Sequence, residues 1–293
     1  MHIACVLTCH NRRDKTLQCL EALHGCTLPA GVQLSVHLVD DGSSDATATA
    51  VLMRFPRTFV IEGDGALFWS GGMRRAMASA MLLDPDFYLW LNDDTLLDPQ
   101  ALSELLALHR ELLAAHPDQP AIVSAAVRDP RSGDCTYGGV VSTSHWYPWF
   151  VNAPPALTPQ RVATINGNCV LIPRAVVRRI GNIDPAYVHA LGDWDYGLRA
   201  ANAGCGVWLA AGTLGTCEGN EAVRQPLQSS SLRQQLSHTT GPKRNPLRPW
   251  WTFTSRHCGP LWLSHFARPY LSAAWRAFGP GRLRNSNQSD PTS

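Results

Sequence analysis

Phe87-Tyr88-Leu89-Trp90-Leu91-Asn92-Asp93-Asp94 reads as a strand of five large apolar residues that runs into three polar ones. An unbroken apolar run, with no alternation, suits a strand covered on both faces, as in a parallel sheet between layers of helices. Adjacent carboxylates at the end of such a strand repel each other unless a cation neutralises them. A hard divalent ion with oxygen ligands and retained water, bridging to a diphosphate, meets that need. An Asx turn that caps the next helix accounts for the same residues without any ligand.

The segments on either side repeat the pattern. Ile3–Leu7 is a short apolar run followed by Thr8-Cys9-His10-Asn11-Arg12, and Leu34–Val39 is a second run followed by Asp40-Asp41-Gly42-Ser43-Ser44-Asp45. Phe59–Ile61 is a brief third strand. Helical spacing appears over residues 12–24, from Ser44 or Asp45 as N-cap onward, over 71–83, and after Asp98-Pro99, with Asp98 as the cap. Strand alternating with helix predicts an α/β fold with a mostly parallel sheet and right-handed crossovers. Ligands of such sheets sit outside the carboxyl ends of the strands. Three polar clusters therefore fall on one rim.

Further along, residues 128–165 are rich in Pro, Gly, Trp and Tyr without a period and read as an irregular insertion or short hairpins. Cys169–Ile172 and Val207–Ala210 read as strands, Asp195–Ala203 as a helix, and 225–249 as loop. Pro260–Phe278 regains helical spacing, with a kink expected at Pro269.

Composition narrows the class. The chain has 293 residues and is 45% hydrophobic, enough for a large core, and no run approaches the 18 apolar residues of a spanning helix. Ile3–Leu7 is too short for a signal-peptide core. Nine cysteines show neither CxxC pairs nor regular spacing and read as reduced thiols, which suits a cytoplasmic protein. The net charge of +2 conceals a split: residues 1–221 carry 15 basic and 22 acidic side chains, whereas 222–293 carry 10 basic ones and only Asp290.

Two more segments point to chemistry. Trp69-Ser70-Gly71-Gly72-Met73-Arg74 sets two glycines at a helix start, where free backbone amides favour an anion and Arg74 or Arg75 adds charge. It is neither a Walker loop nor a dinucleotide fingerprint. In Gly192-Asp193-Trp194-Asp195, Asp195 can pair with Arg199 one turn on. Asp193 is left without a structural task, and a carboxylate partly desolvated beside Trp194 suits a general base.

The four clusters Thr8–Arg12, Val39–Asp45, Asn92–Asp94 and Gly192–Arg199, in this order and spacing, resemble the family 2 glycosyltransferases, inverting enzymes of GT-A fold, over about residues 1–215. The resemblance implies a nucleotide-sugar donor and a divalent metal, Mg or Mn. By that likeness Thr8, Asn11, Arg12 and Asp40 or Asp41 hold the nucleoside. Asp93 and Asp94 match the family's DxD-like motif, with Asp94 the metal ligand. The segment from Trp69 to Met73, with Gly71 and Gly72, lines the donor diphosphate and sugar, and Gly167 and Asn168 lie below the transferred sugar; Arg74 or Arg75 then stabilises the departing diphosphate. Asp193 matches the catalytic base. The chain departs from the pattern in three places. It has Asn-Asp-Asp for Asp-x-Asp and Gly192 for the Glu before the base. After the last strand, Gly215–Asn220 holds no His, leaving Cys217, Glu218 or nothing as the further ligand.

The expected activity is transfer of a sugar to a hydroxyl of a glycan or lipid-linked acceptor in cell-surface polysaccharide synthesis. The competing reading is a nucleotide-sugar-binding scaffold without turnover. A nucleotidyltransferase would need an N-terminal Gly-rich loop that Thr8–Arg12 lacks. The domain expectation is a catalytic body over 1–221, a basic aromatic-rich and mainly helical extension over 222–284, and a tail over 285–293. In residues 243–284, Lys243, Arg244, Arg248, Arg256, Arg268, Arg276, Arg282 and Arg284 lie among Trp250, Trp251, Trp262, Tyr270 and Trp275 with no acid between them. This suits peripheral binding to the anionic inner face of the cell membrane. No nucleic-acid motif accompanies the charge. The other use of these tryptophans is packing, onto the catalytic body or in a homodimer.

Overall fold

The structure, a computed structural model, describes residues 1–144, 150–219, 231–242 and 244–278. Lys243, Arg282, Arg284 and the expected tail 285–293 lie outside the described residues. The described residues fall into two compact units, one formed by 1–143 and 150–219 and the other containing the helices of 231–278.

The first half of the larger unit runs β1 (His2–Cys9), α1 (Arg13–His24), β2 (Gln33–Asp40), α2 (Thr47–Arg54), β3 (Phe59–Glu62), α3 (Phe68–Met81), β4 (Phe87–Leu91), β5 (Leu96–Leu97), α4 (Ala101–Ala115) and β6 (Ala121–Ser124). Then come β7 (Val127–Arg128), β8 (Cys135–Tyr137), β9 (Gly139–Ser142), β10 (Phe150–Asn152), β11 (Gln160–Arg161), β12 (Thr164–Ile165), β13 (Cys169–Pro173), α5 (Arg174–Ile180), α6 (Gly192–Asn202), β14 (Gly206–Leu209) and β15 (Gly215–Thr216). Eight strands form the central sheet in the order β11-β14-β6-β13-β4-β1-β2-β3. β3, β2, β1 and β4 are parallel neighbours, as are β14 and β6, while β13 runs against both β4 and β6.

The apolar runs of β1, β4 and β13 are buried on both faces, as their lack of alternation predicts, whereas β3, at the edge of the sheet, leaves Phe59 exposed. Along β1, Ile3, Cys5 and Leu7 enter one core with Leu20 and Leu23 of α1 and Leu102 and Leu105 of α4. Ala4 and Val6 face the other core, with Met73 and Met77 of α3, Trp90 of β4 and Tyr196 of α6. All nine cysteines are unpaired thiols, seven of them buried.

Several helix starts differ from expectation. α2 begins at Thr47 behind Ala46, which holds φ 61°, and its cap is not the side chain of Ser44 or Asp45. Asp40, at the end of β2, accepts from the amides of Ser43 (3.1 Å) and Ala48 (3.0 Å) instead. Asp98 does not cap α4; its carboxylate takes the Arg128 guanidinium through two bonds of 2.7 and 3.0 Å. The described residues of 128–165 carry short strands, β7 to β12, of which β9, β10 and β12 form a three-stranded sheet of their own.

The smaller unit holds α7 (Leu232–Thr239), α8 (Leu247–His257) and α9 (Trp262–Phe278), with a 3-10 turn at Gly259–Leu261. The expected loop over 225–249 therefore contains a helix. A capping box starts it: Ser231 Oγ accepts from the Gln234 amide and Gln234 Oε1 accepts from the Ser231 amide. α9 continues through Pro269. Trp250 Nε1 donates to the Phe266 carbonyl (3.2 Å) and the Tyr270 hydroxyl to that of Asn245 (2.8 Å). No helix among the described residues is long and apolar enough to cross a membrane.

Candidate active site

The carboxyl ends of β1, β2 and β4 carry the polar clusters to one rim, as the strand order requires. Arg12 closes the loop after β1. Its guanidinium spans both carboxylates after β4, reaching Asp93 at 3.1 Å and Asp94 at 2.7 Å. Asp93 is only 6% exposed, and its Oδ2 has no partner among the described residues. Burial pushes its pKa up to about 7, with Arg12 opposing the shift and Asp94 adding to it. On the far side of Asp94 lies Cys217, whose thiol donates to Asp94 Oδ1 at 3.5 Å and accepts from Asn168 Nδ2 at 3.5 Å. Burial first, and then the Asp94 charge, raise that thiol to about 12, so it is protonated here. Glu218 turns away, paired with Lys15 (3.0 Å) and Arg131 (3.1 Å).

From Asp93 and Asp94 a run of contacts leads to Asp193. Asn92, the first residue of the motif, receives the Trp69 indole N–H on Oδ1 at 2.7 Å, and its amide donates to the Asn168 carbonyl at 3.0 Å. The Trp69 ring lies over Gly167, where a Cβ would overlap Cζ2 and Cη2 of the indole. The Gly167 amide donates to Asp193 Oδ2 at 3.1 Å and the Trp194 amide to Asp193 Oδ1 at 2.9 Å. Gly167→Ala is therefore expected to displace Trp69 and cost about 1–3 kcal/mol, since the indole is already held by an edge contact with Trp90 and by its bond to Asn92. A urea melt followed by tryptophan emission checks this.

Asp193 sits in the first turn of α6, which begins three residues earlier than the periodicity predicts. Leu191, at φ 72°, turns the chain into that helix. A left-handed leucine costs about 1–2 kcal/mol, and such strain persists where the surroundings impose it. Burial pushes Asp193 up to about 6 although both amides oppose the shift. Its neighbour Asp195 is spoken for: it is fully buried, bonded to Arg199 Nε at 2.7 Å and to the Tyr187 hydroxyl at 3.0 Å. The i, i+4 pairing of Asp195 with Arg199 is thus formed.

The rim around β2 is used differently from the reading of its residue types alone. Asp41 accepts from the amides of Gly65 (2.9 Å), Leu67 (3.3 Å) and Phe68 (2.9 Å), so the anion at the start of α3 is a carboxylate of the chain itself. Gly71 and Gly72 lie in the second turn of α3, not at its start, and are buried. A Cβ on Gly72 would overlap the Thr8 side chain, so this glycine seats α3 against the end of β1. Arg74 donates to the Tyr187 carbonyl at 3.3 Å, and Arg75 is exposed. Asn11, at φ 51°, takes the Ser44 amide on Oδ1 (2.8 Å) and joins the ends of β1 and β2. Asp45 accepts from the amides of Arg13 (2.9 Å) and Thr47 (3.1 Å), serving the first turns of α1 and α2 together.

Arg12, Asp93, Asp94, Asn168, Trp69, Gly167 and Asp193 are thereby linked through Cys217 and Asn92, Thr8 packs against Gly72, and Asp40, Asp41 and Asn11 hold the framework around them. The side chains of Asn92, which receives Trp69, and of Asn152, which accepts from Asn166 Nδ2 at 2.9 Å while Asn166 accepts from Trp194 Nε1 at 3.2 Å, join the site as well. An amide side chain between apolar strands carries no periodic signal.

The family model "Glycosyltransferase like family 2" matches residues 2–238. The chain belongs to this family. It is a glycosyltransferase of GT-A fold, and solved structures agree on the fold. S. aureus TarS 1–349 in complex with UDP superposes with a TM-score of 0.57 at 11% identity, covering 99% of this chain and 76% of that one. The same protein in complex with UDP-GlcNAc gives 0.57 at 13%, with the same coverage. The mannosyltransferase PcManGT from Pyrobaculum calidifontis, in complex with GDP-Man and Mn2+, gives 0.54 at 15%, covering 99% and 76%. None of the curated proteins matches the chain.

Proposed function

We propose that this transferase moves a sugar, with inversion, from a nucleoside-diphosphate sugar to a hydroxyl of a glycan or lipid-linked acceptor in cell-surface polysaccharide synthesis, with Asp193 as general base. The observation that carries this reading is the state of Asp193. Its carboxylate is fixed by two backbone amides at a helix start, and burial makes it more basic than an ordinary aspartate. It is joined through Gly167, Trp69 and Asn92 to the paired carboxylates. A base with pKa near 6 is mostly ionised at neutral pH and still accepts a proton readily. Asp193 takes the acceptor hydroxyl proton as that oxygen attacks the anomeric carbon, the bond to the diphosphate breaks, and one displacement inverts the centre. No covalent nucleophile is required.

Thr8, Asn11 and Arg12 are assigned to the nucleoside end, where Asp40 and Asp41 give their carboxylate oxygens to backbone amides and shape the turn in place of the one carboxylate expected to hold the nucleoside, and Arg74 with the Trp69–Gly72 segment is assigned to the diphosphate and sugar. For a divalent ion, the test is the donor set. Among the described residues no group of three or more His, Cys, Asp or Glu gathers to hold a metal. The chain does offer Asp94 beside a buried Asp93 oxygen with no partner, which fits an ion that draws its remaining ligands from a diphosphate and water. Asp94, with Asp93 behind it, would hold Mg or Mn there, and such an ion when bound offsets the negative charge of the departing diphosphate. Cys217, not Glu218, is the residue of the 215–220 stretch that lies against Asp94.

The test is donor hydrolysis over a panel of UDP- and GDP-sugars with Mn, with and without a chelator. Hydrolysis of one donor, lost with chelator, supports the reading. Donor binding by thermal shift without hydrolysis or transfer to any glycan acceptor overturns it in favour of a nucleotide-sugar-binding scaffold.

A further inference from the structure

We propose that the α8–α9 face of the smaller unit is a docking surface for an anionic lipid membrane, which it binds in the plane of the interface. On α9, Arg268, Leu271 and Trp275 follow one another at helical spacing, and all are exposed, Leu271 at 66% and Trp275 at 71%. The opposite side of α9 buries Ala273 and Ala277. On α8, Leu247 and Trp251 are exposed one turn apart, with Arg248 between them. Trp251 meets Trp262 edge-on at 4.7 Å while staying 48% exposed, so the exposed side of α8 borders α9.

Large aliphatic and indole side chains left to water beside arginines need an environment that is apolar and anionic together. The charge selects among occupants. Residues 222–289 contain no Asp or Glu, so a second copy docking by this same face would oppose arginines with arginines. A nucleic acid would meet the charge but offers nothing to Leu247 and Leu271. A lipid headgroup layer meets both, because tryptophan sits at its boundary and arginine pairs with its phosphates. With no membrane-crossing helix among the described residues, the association is peripheral and weakened by salt.

The full chain is sedimented with vesicles of phosphatidylcholine alone and with vesicles containing one third phosphatidylglycerol, at low and high salt. The expected result is pelleting with the anionic vesicles at low salt, at least tenfold weaker at high salt and with neutral vesicles. Leu271→Ser/Trp275→Ser and Arg248→Gln/Arg268→Gln should each weaken it about tenfold or more with an unchanged thermal melt. Several outcomes overturn the proposal: no pelleting at low salt, equal pelleting with neutral vesicles, retention by an oligonucleotide but not by vesicles, or a dimer that Leu271→Ser/Trp275→Ser makes monomeric without any vesicle binding. Donor hydrolysis in solution needs no membrane, so failure here leaves the proposed activity standing, and loss of activity leaves this surface standing.

Discussion

Asp193→Asn is expected to keep the fold and donor affinity while slowing transfer by about 10²–10⁴-fold, the usual contribution of a general base. Asparagine is nearly isosteric and its side-chain oxygen can still accept from Gly167 or Trp194, so the start of α6 is preserved. Stability should move the opposite way from activity. The folded chain holds Asp193 at about 6, above its ordinary 3.8. A group raised in the folded state contributes stability fully below its unfolded value, and that contribution is lost as pH rises through about 6. At pH 7 the wild-type chain therefore bears a cost of about 3 kcal/mol that the amide lacks, an upper figure because the side chain is not wholly enclosed. The variant should melt higher than wild type at pH 7 and no higher at pH 4. In the wild type, kcat/KM should fall below pH about 6, and this acid limb should vanish from the residual rate of the variant. A variant that keeps more than about a third of the wild-type rate would remove the base from Asp193. His189, whose Nδ1 lies 3.5 Å from the Trp69 amide, would then be a better candidate than Asp195, which Arg199 already engages.

The central fold was legible because its signal is burial. Five unbroken apolar residues before Asn92 read as a strand covered on both sides, and the further strand-like runs Ile3–Leu7, Leu34–Val39 and Phe59–Ile61, separated by helical spacing, leave little but a mostly parallel sheet. The reversal of β13 was not legible: an apolar run buried on both faces reads the same in either direction. The site was legible as a rim, and the likeness of its four clusters to one family named that family. What each carboxylate touches was not. Asp40, Asp41, Asp45 and Asp98 all stand where an N-cap or a ligand-binding residue is expected. Which of them takes a guanidinium, as Asp98 does, or the amides of a distant loop, as Asp41 does, depends on contacts 24 to 30 residues away. Helix α7 was missed for a related reason. Leu232–Thr239 is polar almost all round, and the signal lay in the spacing of Ser231 and Gln234, not in any apolar stripe.

Asp94→Ala is expected to remove the metal dependence of donor binding and to weaken binding of UDP or GDP by at least tenfold with Mn present. The argument starts from the charge balance around β4. Among the described residues one cation, Arg12, serves two carboxylates, the deeper of which has an oxygen with no partner there. That leaves net negative charge where a diphosphate would have to lie. A divalent ion reverses the sign there, and Asp94 is the more accessible of the pair and the nearer to Arg12. Without it Arg12 keeps Asp93, the local charge is balanced, and the site loses the ligand that offers an ion a foothold. Cys217 loses one acceptor, keeps the Glu218 carbonyl and stays a buried thiol, so the fold should survive. Calorimetric titration of UDP and GDP, each with Mn and with a chelator, reads the effect directly. Wild type should bind the cognate nucleotide much more tightly with Mn, and the variant should bind it equally weakly in both conditions. If the variant keeps wild-type affinity and its response to Mn, Asp94 is not the metal ligand. If wild type itself ignores Mn, Arg12 is the only cation the pair requires, and the guanidinium at 2.7 Å from Asp94 becomes the group that faces the diphosphate.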